Sequence, residues 1–529
     1  MTNLPPSDKV AQLAAKDFPA TDAASAPVSR TQVVGMMTQG VVLGFVQKAG
    51  GVVLSLILVR ILAKEDFGAF NIASAAIVFL MTFSVQNFVE HSFFVGRDEA
   101  PRFDRHLGFA LILHAAIALL MLSIAGVATM YPDYAPAAPL LAFGALAPML
   151  NAPRIIYTVS LSRDLEWKRI RLLGITSFAF AACGTLLFAF AGQGGLALMC
   201  QIVLAPVPYL ADMALKRRDL FAVSTNLRGY RESFTFGALR SAGTAMGQGR
   251  PFVESLVVGG AFGLETLGVF GRAFALAQLT TGWLSLQLAS ITYPILAKFE
   301  PRTAAYRRAS GLLFRFACWT ALPPAVAVGF ADEAAIAVIY GERWLDATPF
   351  FRPMTLTVLS LTIMGSLNVI ALGAIGVRFV FLNQTAVFLL SLLGLALAMP
   401  ASLLAYAWFL AIAMFGLMAV MLAFLIGATA LSLSAVMRVV TPCVALIVLA
   451  VTLDHSAYRA MISGLPNWVE LIAVSTVSAF AMVVLIRLLD RNGLDEAIRF
   501  APERVQLLVR RLVMLKVASA SNPDSDLTT

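Results

Sequence analysis

Glu65-Asp66-Phe67-Gly68-Ala69-Phe70 is matched two hundred residues later by Glu265-Thr266-Leu267-Gly268-Val269-Phe270. Glu, Gly and Phe fall in register without a gap. Each segment joins one helix-length apolar run to the next. A matched pair of such junctions points to a chain built from two copies of one unit. In a membrane protein, two similar lobes can rock about a central site, which is how a transporter works.

Composition places the chain in a membrane. Of 529 residues, 59% are hydrophobic and only 13% are charged, against about 25% charged in a soluble domain. Apolar runs long enough to span a bilayer recur along the whole length. The net charge of +9 does not point to nucleic acid, because the basic residues lie in short loops between apolar runs. Cys183, Cys200, Cys318 and Cys443 lack CxxC spacing and read as small buried side chains.

The apolar pattern predicts an all-α polytopic protein with about fourteen transmembrane helices. Their expected limits are 36–62, 69–95, 107–130, 136–160, 172–191, 195–215, 236–261, 268–297, 309–331, 348–375, 379–399, 402–428, 436–454 and 467–489. Residues 1–35 are polar and lack the layout of a cleavable signal, so they read as a disordered cytoplasmic tail. Residues 36–215 form the expected N-lobe, 216–235 a basic cytoplasmic linker and 236–430 the C-lobe. Residues 431–491 carry two further spans, and 492–529 a charged cytoplasmic tail. Each lobe holds six spans. An even number gives both copies the same orientation, related by an axis along the membrane normal. Loops after even-numbered spans are basic, as in Lys216, Arg217, Arg218, Arg228 and Arg231. Those on the other side are mostly acidic or uncharged, as in Asp332, Glu333, Glu342 and Asp346. The positive-inside rule then puts both termini in the cytoplasm.

Three segments resemble one family. Leu58-Val59-Arg60-Ile61-Leu62-Ala63-Lys64-Glu65-Asp66-Phe67-Gly68 is similar to the "LARLLTPEDFG" segment of Wzx-type polysaccharide flippases, the PST branch of the MOP superfamily. Glu254-Ser255-Leu256-Val257-Val258-Gly259 through Leu267-Gly268-Val269-Phe270-Gly271-Arg272-Ala273 is a second segment. The third is Ile339-Tyr340-Gly341-Glu342-Arg343-Trp344 with Ala347-Thr348-Pro349. Glu254 and Phe270 stand where the family often has Asp and Tyr. The resemblance implies a MATE-like fold in a bacterial inner membrane. It also implies a cargo of polyprenyl-pyrophosphate-linked oligosaccharide, moved for surface polysaccharide, exopolysaccharide or lipopolysaccharide assembly. A polysaccharide polymerase and co-polymerase would be partners, along with membrane lipid but not nucleic acid.

Such a cargo has an anionic, hydrated head, so its route needs cations and amides. Ionisable residues inside spans are costly and usually face a cavity or a partner. Lys48, beside Gln47, lies mid-span in the first lobe, and Arg250, near Gln248, lies mid-span in the second. With Arg154 and Arg272, these are the candidate substrate-binding residues. Glu254 lies four residues from Arg250, so the two can pair on one helix face. Glu254 reads equally as a counter-ion or as a carrier coupling transport to H+ or Na+. Glu90 and His91 are further coupling candidates, although an interfacial position suits them better. His114 reads as a packing histidine, and Arg315 as snorkelling to lipid.

No GxxxxGK[ST], HExxH or paired CxxC occurs, so neither an ATP motor nor a metal site is expected, and no catalytic residue or cofactor is assigned. The rival readings are a MATE-like drug or cation antiporter, whose cavity would favour acids, and a membrane polysaccharide polymerase or ligase. The latter is disfavoured by the shortness of the loops.

The alternating loop charge predicts opposite sides for two positions. Single cysteines at Asn226 and Glu342 should react with an impermeant thiol reagent in intact cells only at the second. Labelling of both would overturn the topology.

Overall fold

The computed structural model describes residues 47, 49–89, 103–164, 166–226, 231–282, 296, 299–301, 303–454 and 465–490. The chain divides into two compact units, 1–50 and 51–529. Of the first, Gln47, Ala49 and Gly50 are described, all helical.

The second unit is built of helices, with no strand among the described residues. An apolar helix covers Ala49–Ile61 (α1). It is followed by Lys64–Met81 (α2) and the short Gln86–Val89 (α3). Phe103–Ala128 (α4), Ala138–Gly144 (α5), Leu146–Arg163 (α6), Trp167–Phe190 (α7), Gly195–Leu204 (α8) and Val207–Lys216 (α9) complete the first half. The second half opens with Arg231–Ala277 (α10), Ala304–Phe330 (α11) and Asp332–Ile339 (α12). It continues with Thr348–Ala374 (α13), Val377–Leu397 (α14) and Leu403–Gly427 (α15), and ends with Leu433–Asp454 (α16) and Asn467–Leu489 (α17). Twelve helices among the described residues are long and apolar enough to cross a membrane. The protein is a multi-pass membrane protein. Its exposed side chains include Leu119, Leu187, Phe190, Ile412 and Phe480, which suit a lipid surround rather than water.

Twelve differs from the expected fourteen for two visible reasons. The expected span 36–62 falls largely on residues outside the description. The expected spans 236–261 and 268–297 belong in part to one assignment, α10, with Gly263 inside it at φ 83°, ψ 167°. That conformation is open to glycine without a Cβ penalty, so the two helices join through almost no loop. The start of α2 is also earlier than 69. Asp66 sits in its first turn and accepts from the Ala63 N–H (3.0 Å) and the Gly195 N–H (2.9 Å). A carboxylate there satisfies orphan donors and suits the positive end of the helix dipole. The Glu-Asp-Phe-Gly motif is therefore helix, not loop.

The two halves meet along α2 and α10. Phe79 stacks on Phe252 at 5.0 Å midway. At one end the Phe88 ring fills the space above Gly237, and Asn87 Nδ2 donates to Ser241 Oγ at 3.0 Å. At the other end lie the two repeated glycines. A Cβ on Gly68 would collide with the Leu264 carbonyl, and one on Gly268 with the Lys64 carbonyl. The two contacts exchange under the same offset of two hundred residues that relates the motifs. Small residues of this kind let helix backbones touch in a membrane.

The end of α1 is bound to the second half as well. Arg343 donates to the carbonyls of Val59 and Leu62, and Trp344 Nε1 donates to Val59 O at 3.1 Å. Lys64 Nζ lies 2.5 Å from Asp346 and 3.4 Å from Glu265. A cation at a helix C-terminus meets carbonyls that no intrahelical donor can reach.

Arg315 corrects an expectation. It does not face lipid. It is buried, its Nε lies 3.1 Å from Asp490 Oδ2, and its guanidinium packs over Trp319 at 5.4 Å. The pair ties α11 to the residue that follows α17. Removing one partner of a buried ion pair costs about 3–5 kcal/mol. Arg315→Ala and Asp490→Ala should each lower the melting temperature in detergent, and the double variant should lose less than the sum. Single-variant melting at the wild-type temperature would show that the pair is not buried in solution.

Candidate functional site

The four described cation and acid candidates occupy three separate places. Arg250 and Glu254 lie one turn apart in α10 and are both buried. Arg250 Nη1 is 3.7 Å from Glu254 Oε2, close enough for Coulomb attraction but too long for a good hydrogen bond. Phe252 between them faces α2, so helical periodicity turns Arg250 and Glu254 toward the second half. There the Arg250 guanidinium sits 5.4 Å above Phe274, and the buried Tyr406 adjoins Glu254. Arg250 Nη1 has no hydrogen-bond partner among the described residues. Gln248 is half-buried on the same helix.

Arg154 belongs to a different cluster. Its Nη1 donates to Asn151 Oδ1 at 2.7 Å, and its guanidinium lies 5.1 Å above Tyr209. Beside it the fully buried Tyr157 donates to Asp212 Oδ2 at 2.7 Å, and Arg169 Nε donates to the same oxygen at 2.8 Å. Asp212 thus holds α6, α7 and α9 together. It escaped the sequence reading because one carboxylate in an apolar span carries no local signature; its partners come from other helices.

Arg272 stands between the halves. Its guanidinium lies 4.5 Å above the Phe67 ring of α2, and Nη1 reaches Ser55 Oγ of α1 at 3.5 Å. Phe67 packs edge-on against the buried Trp344 at 5.4 Å. Arg272 Nε is shielded from solvent and has no acceptor among the described residues. No carboxylate pairs with Arg272 among the described residues. Position 72, two hundred residues earlier, is Ile72, so the cation breaks the repeat symmetry.

Gln47 is helical and exposed. Lys48, Glu90 and His91 lie outside the described residues. His114 is the packing histidine expected: it accepts from the Val85 N–H at 3.1 Å and donates through Nδ1 to Pro148 O at 2.6 Å. Asn383 Nδ2 donates to Asn368 Oδ1 at 3.1 Å, so these amides bond helix to helix.

A family model described as polysaccharide biosynthesis protein matches residues 57–349, more than half of the chain. The chain belongs to this family. A curated relative is the teichuronic acid biosynthesis protein TuaB of Bacillus subtilis (strain 168), 23% identical over 188 residues. That match covers 35% of this chain and 39% of the relative's length. Among solved structures, the lipid II flippase MurJ in an inward closed conformation superposes with a TM-score of 0.67 at 11% identity. It covers 85% of this chain and 98% of MurJ, so the two share a fold.

The family's second segment, Glu254 to Ala273, thus contributes to two sites, Glu254 to the buried acid–base pair and Arg272 to the interface between the halves. For the pair, Arg250→Gln and Glu254→Gln should each destabilise by roughly 3–5 kcal/mol, as an uncompensated buried charge does. The double variant should recover most of the loss, measured as thermal melting in detergent. No recovery would exclude a counter-ion role.

Proposed function

We propose that the protein is a secondary-active flippase. It moves polyprenyl-pyrophosphate-linked oligosaccharide across the bacterial inner membrane for surface or exopolysaccharide assembly. The observation that carries this reading is Arg272, a guanidinium held between the two repeats without a carboxylate partner among the described residues. A cation so placed in a membrane protein calls for an anion from outside the chain, and a pyrophosphate head supplies one. Membership of the polysaccharide biosynthesis family and a fold shared with a lipid II flippase support the same cargo class. Arg154, which also lacks a paired carboxylate among the described residues, would serve the same head at a second level.

In this reading the lobes are residues 36–215 and 236–430, with 216–235 as the linker and 431–491 as an addition. Both termini lie in the cytoplasm. The lobes rock between inward-open and outward-open states, and Lys48 and Arg250 are further candidate contacts for the cargo. Glu254, at the protein interior beside Tyr406, is the candidate for coupling to H+ or Na+, with Glu90 and His91 as alternatives. A polymerase and co-polymerase would receive the product. A MATE-like exporter of cations is disfavoured, because a cationic substrate gains nothing from the Arg272 guanidinium.

Fluorescent lipid-linked oligosaccharide in proteoliposomes tests the reading, with accessibility to an impermeant reductant reporting translocation. Flipping without glycan elongation is the expected result. Arg272→Gln should slow flipping about 10–100-fold, the loss of one charge-assisted hydrogen-bonded contact, and Arg272→Lys should restore part of it. Elongation in place of flipping would transfer the assignment to a polymerase.

A further inference from the structure

The seam where the halves touch and the cation between them share the same residues. Gly68 and Gly268 bring the two backbones together. Three residues along, a Cβ on Gly271 would collide with the amide of Asn71, whose Nδ2 donates to Leu267 O at 3.3 Å. On α10, the space above Gly259 is filled by Ile72, and that above Gly260 by the Tyr134 hydroxyl, which donates to Leu256 O at 3.0 Å. Arg272 follows Gly271 directly. Its ring partner, Phe67, precedes Gly68 directly. The guanidinium cannot keep both Phe67 and Ser55 if the glycine contact opens, because those two belong to the first half and Arg272 to the second.

The closed arrangement also limits what Arg272 can bind. Nε is fully shielded from solvent, with no acceptor among the described residues. Two-point side-on pairing of a guanidinium with a phosphate needs Nε beside an Nη donor. That edge becomes available only when Arg272 leaves the seam.

We propose that the glycine seam and Arg272 form one latch, in which a diphosphate headgroup that pairs side-on with Arg272 competes with the closed contact and opens it. A ligand shifts a conformational equilibrium only through its different affinity for the two states. Here the difference is built in, since the closed state withholds Nε. The latch rests on the anionic-cargo reading above and gives that cargo a way to operate the seam.

Ile72, 3% exposed in the seam, is the reporter position. Cys183, Cys200, Cys318 and Cys443 are replaced by Ala, Ile72→Cys is introduced, and maleimide labelling is followed in nanodiscs with inorganic pyrophosphate as the probe. In phosphatidylcholine, saturating pyrophosphate should speed labelling several-fold. Arg272→Gln should abolish the response. Gly268→Ala should label fast without pyrophosphate, because its methyl group displaces the Lys64 carbonyl. Leu267→Cys, 2% exposed, is a second reporter should the first not fold. An unchanged rate with pyrophosphate, or an equal rise in Arg272→Gln, overturns the latch. A rise produced by phosphatidylglycerol alone, equal to that with pyrophosphate, overturns the assignment to a diphosphate in favour of bulk lipid phosphate. An unresponsive seam in a protein that still flips its cargo sinks the latch and leaves the transport reading standing. A responsive seam without flipping does the reverse.

Discussion

The fold turns on the absence of two methyl groups. Gly68 and Gly268 each leave room for a carbonyl oxygen of the opposite repeat, Leu264 and Lys64 respectively. Any larger residue would have to push the backbones apart. Hydrophobic surface does not hold helices together in lipid, since tails are as apolar as side chains, so close packing and polar contacts must do it. The other contacts of this end depend on that approach. Trp344 reaches the Val59 carbonyl, Arg343 reaches Val59 and Leu62, and Lys64 reaches Asp346 only because the halves are already touching.

Charge inside this protein is handled in several ways. Arg315 is neutralised by Asp490, and Arg352 by Asp332 at 2.7 Å. Arg169 shares Asp212 with a tyrosine hydroxyl. Arg250 and Glu254 are held at a looser 3.7 Å. Arg154 and Arg272 rest on aromatic faces instead. A cation over a ring keeps its charge and recovers part of its lost hydration, yet remains able to pair with an incoming anion. A guanidinium already spent on a carboxylate does not. The distinction separates cations already paired with a carboxylate from cations that rest on rings.

The two ends of the interface between halves differ in kind. One is a backbone-to-glycine contact reinforced by ion pairs and by the carbonyls of α1. The other is a ring over Gly237 and a single hydrogen bond from Asn87 to Ser241.

Sequence alone determined the class, the helical fold, the repeat and the family. These follow from composition, from apolar run length and from a motif copied at a fixed offset, all of which are local or periodic. It also singled out Arg272, Arg250 and Glu254, which lie in or beside the family-like segment 254–273. The tertiary structure decided what each charge does. Arg315 reads as lipid-facing in sequence because its partner, Asp490, lies far along the chain, beyond six further described helices, α12 to α17. Asp212 passed unnoticed for the same reason. Gly68 and Gly268 were legible as a repeat but not as a contact, since sequence shows that two segments are alike and cannot show that they touch. The missing step is long-range pairing, which depends on how helices distant in sequence pack, and no local pattern of residues encodes it.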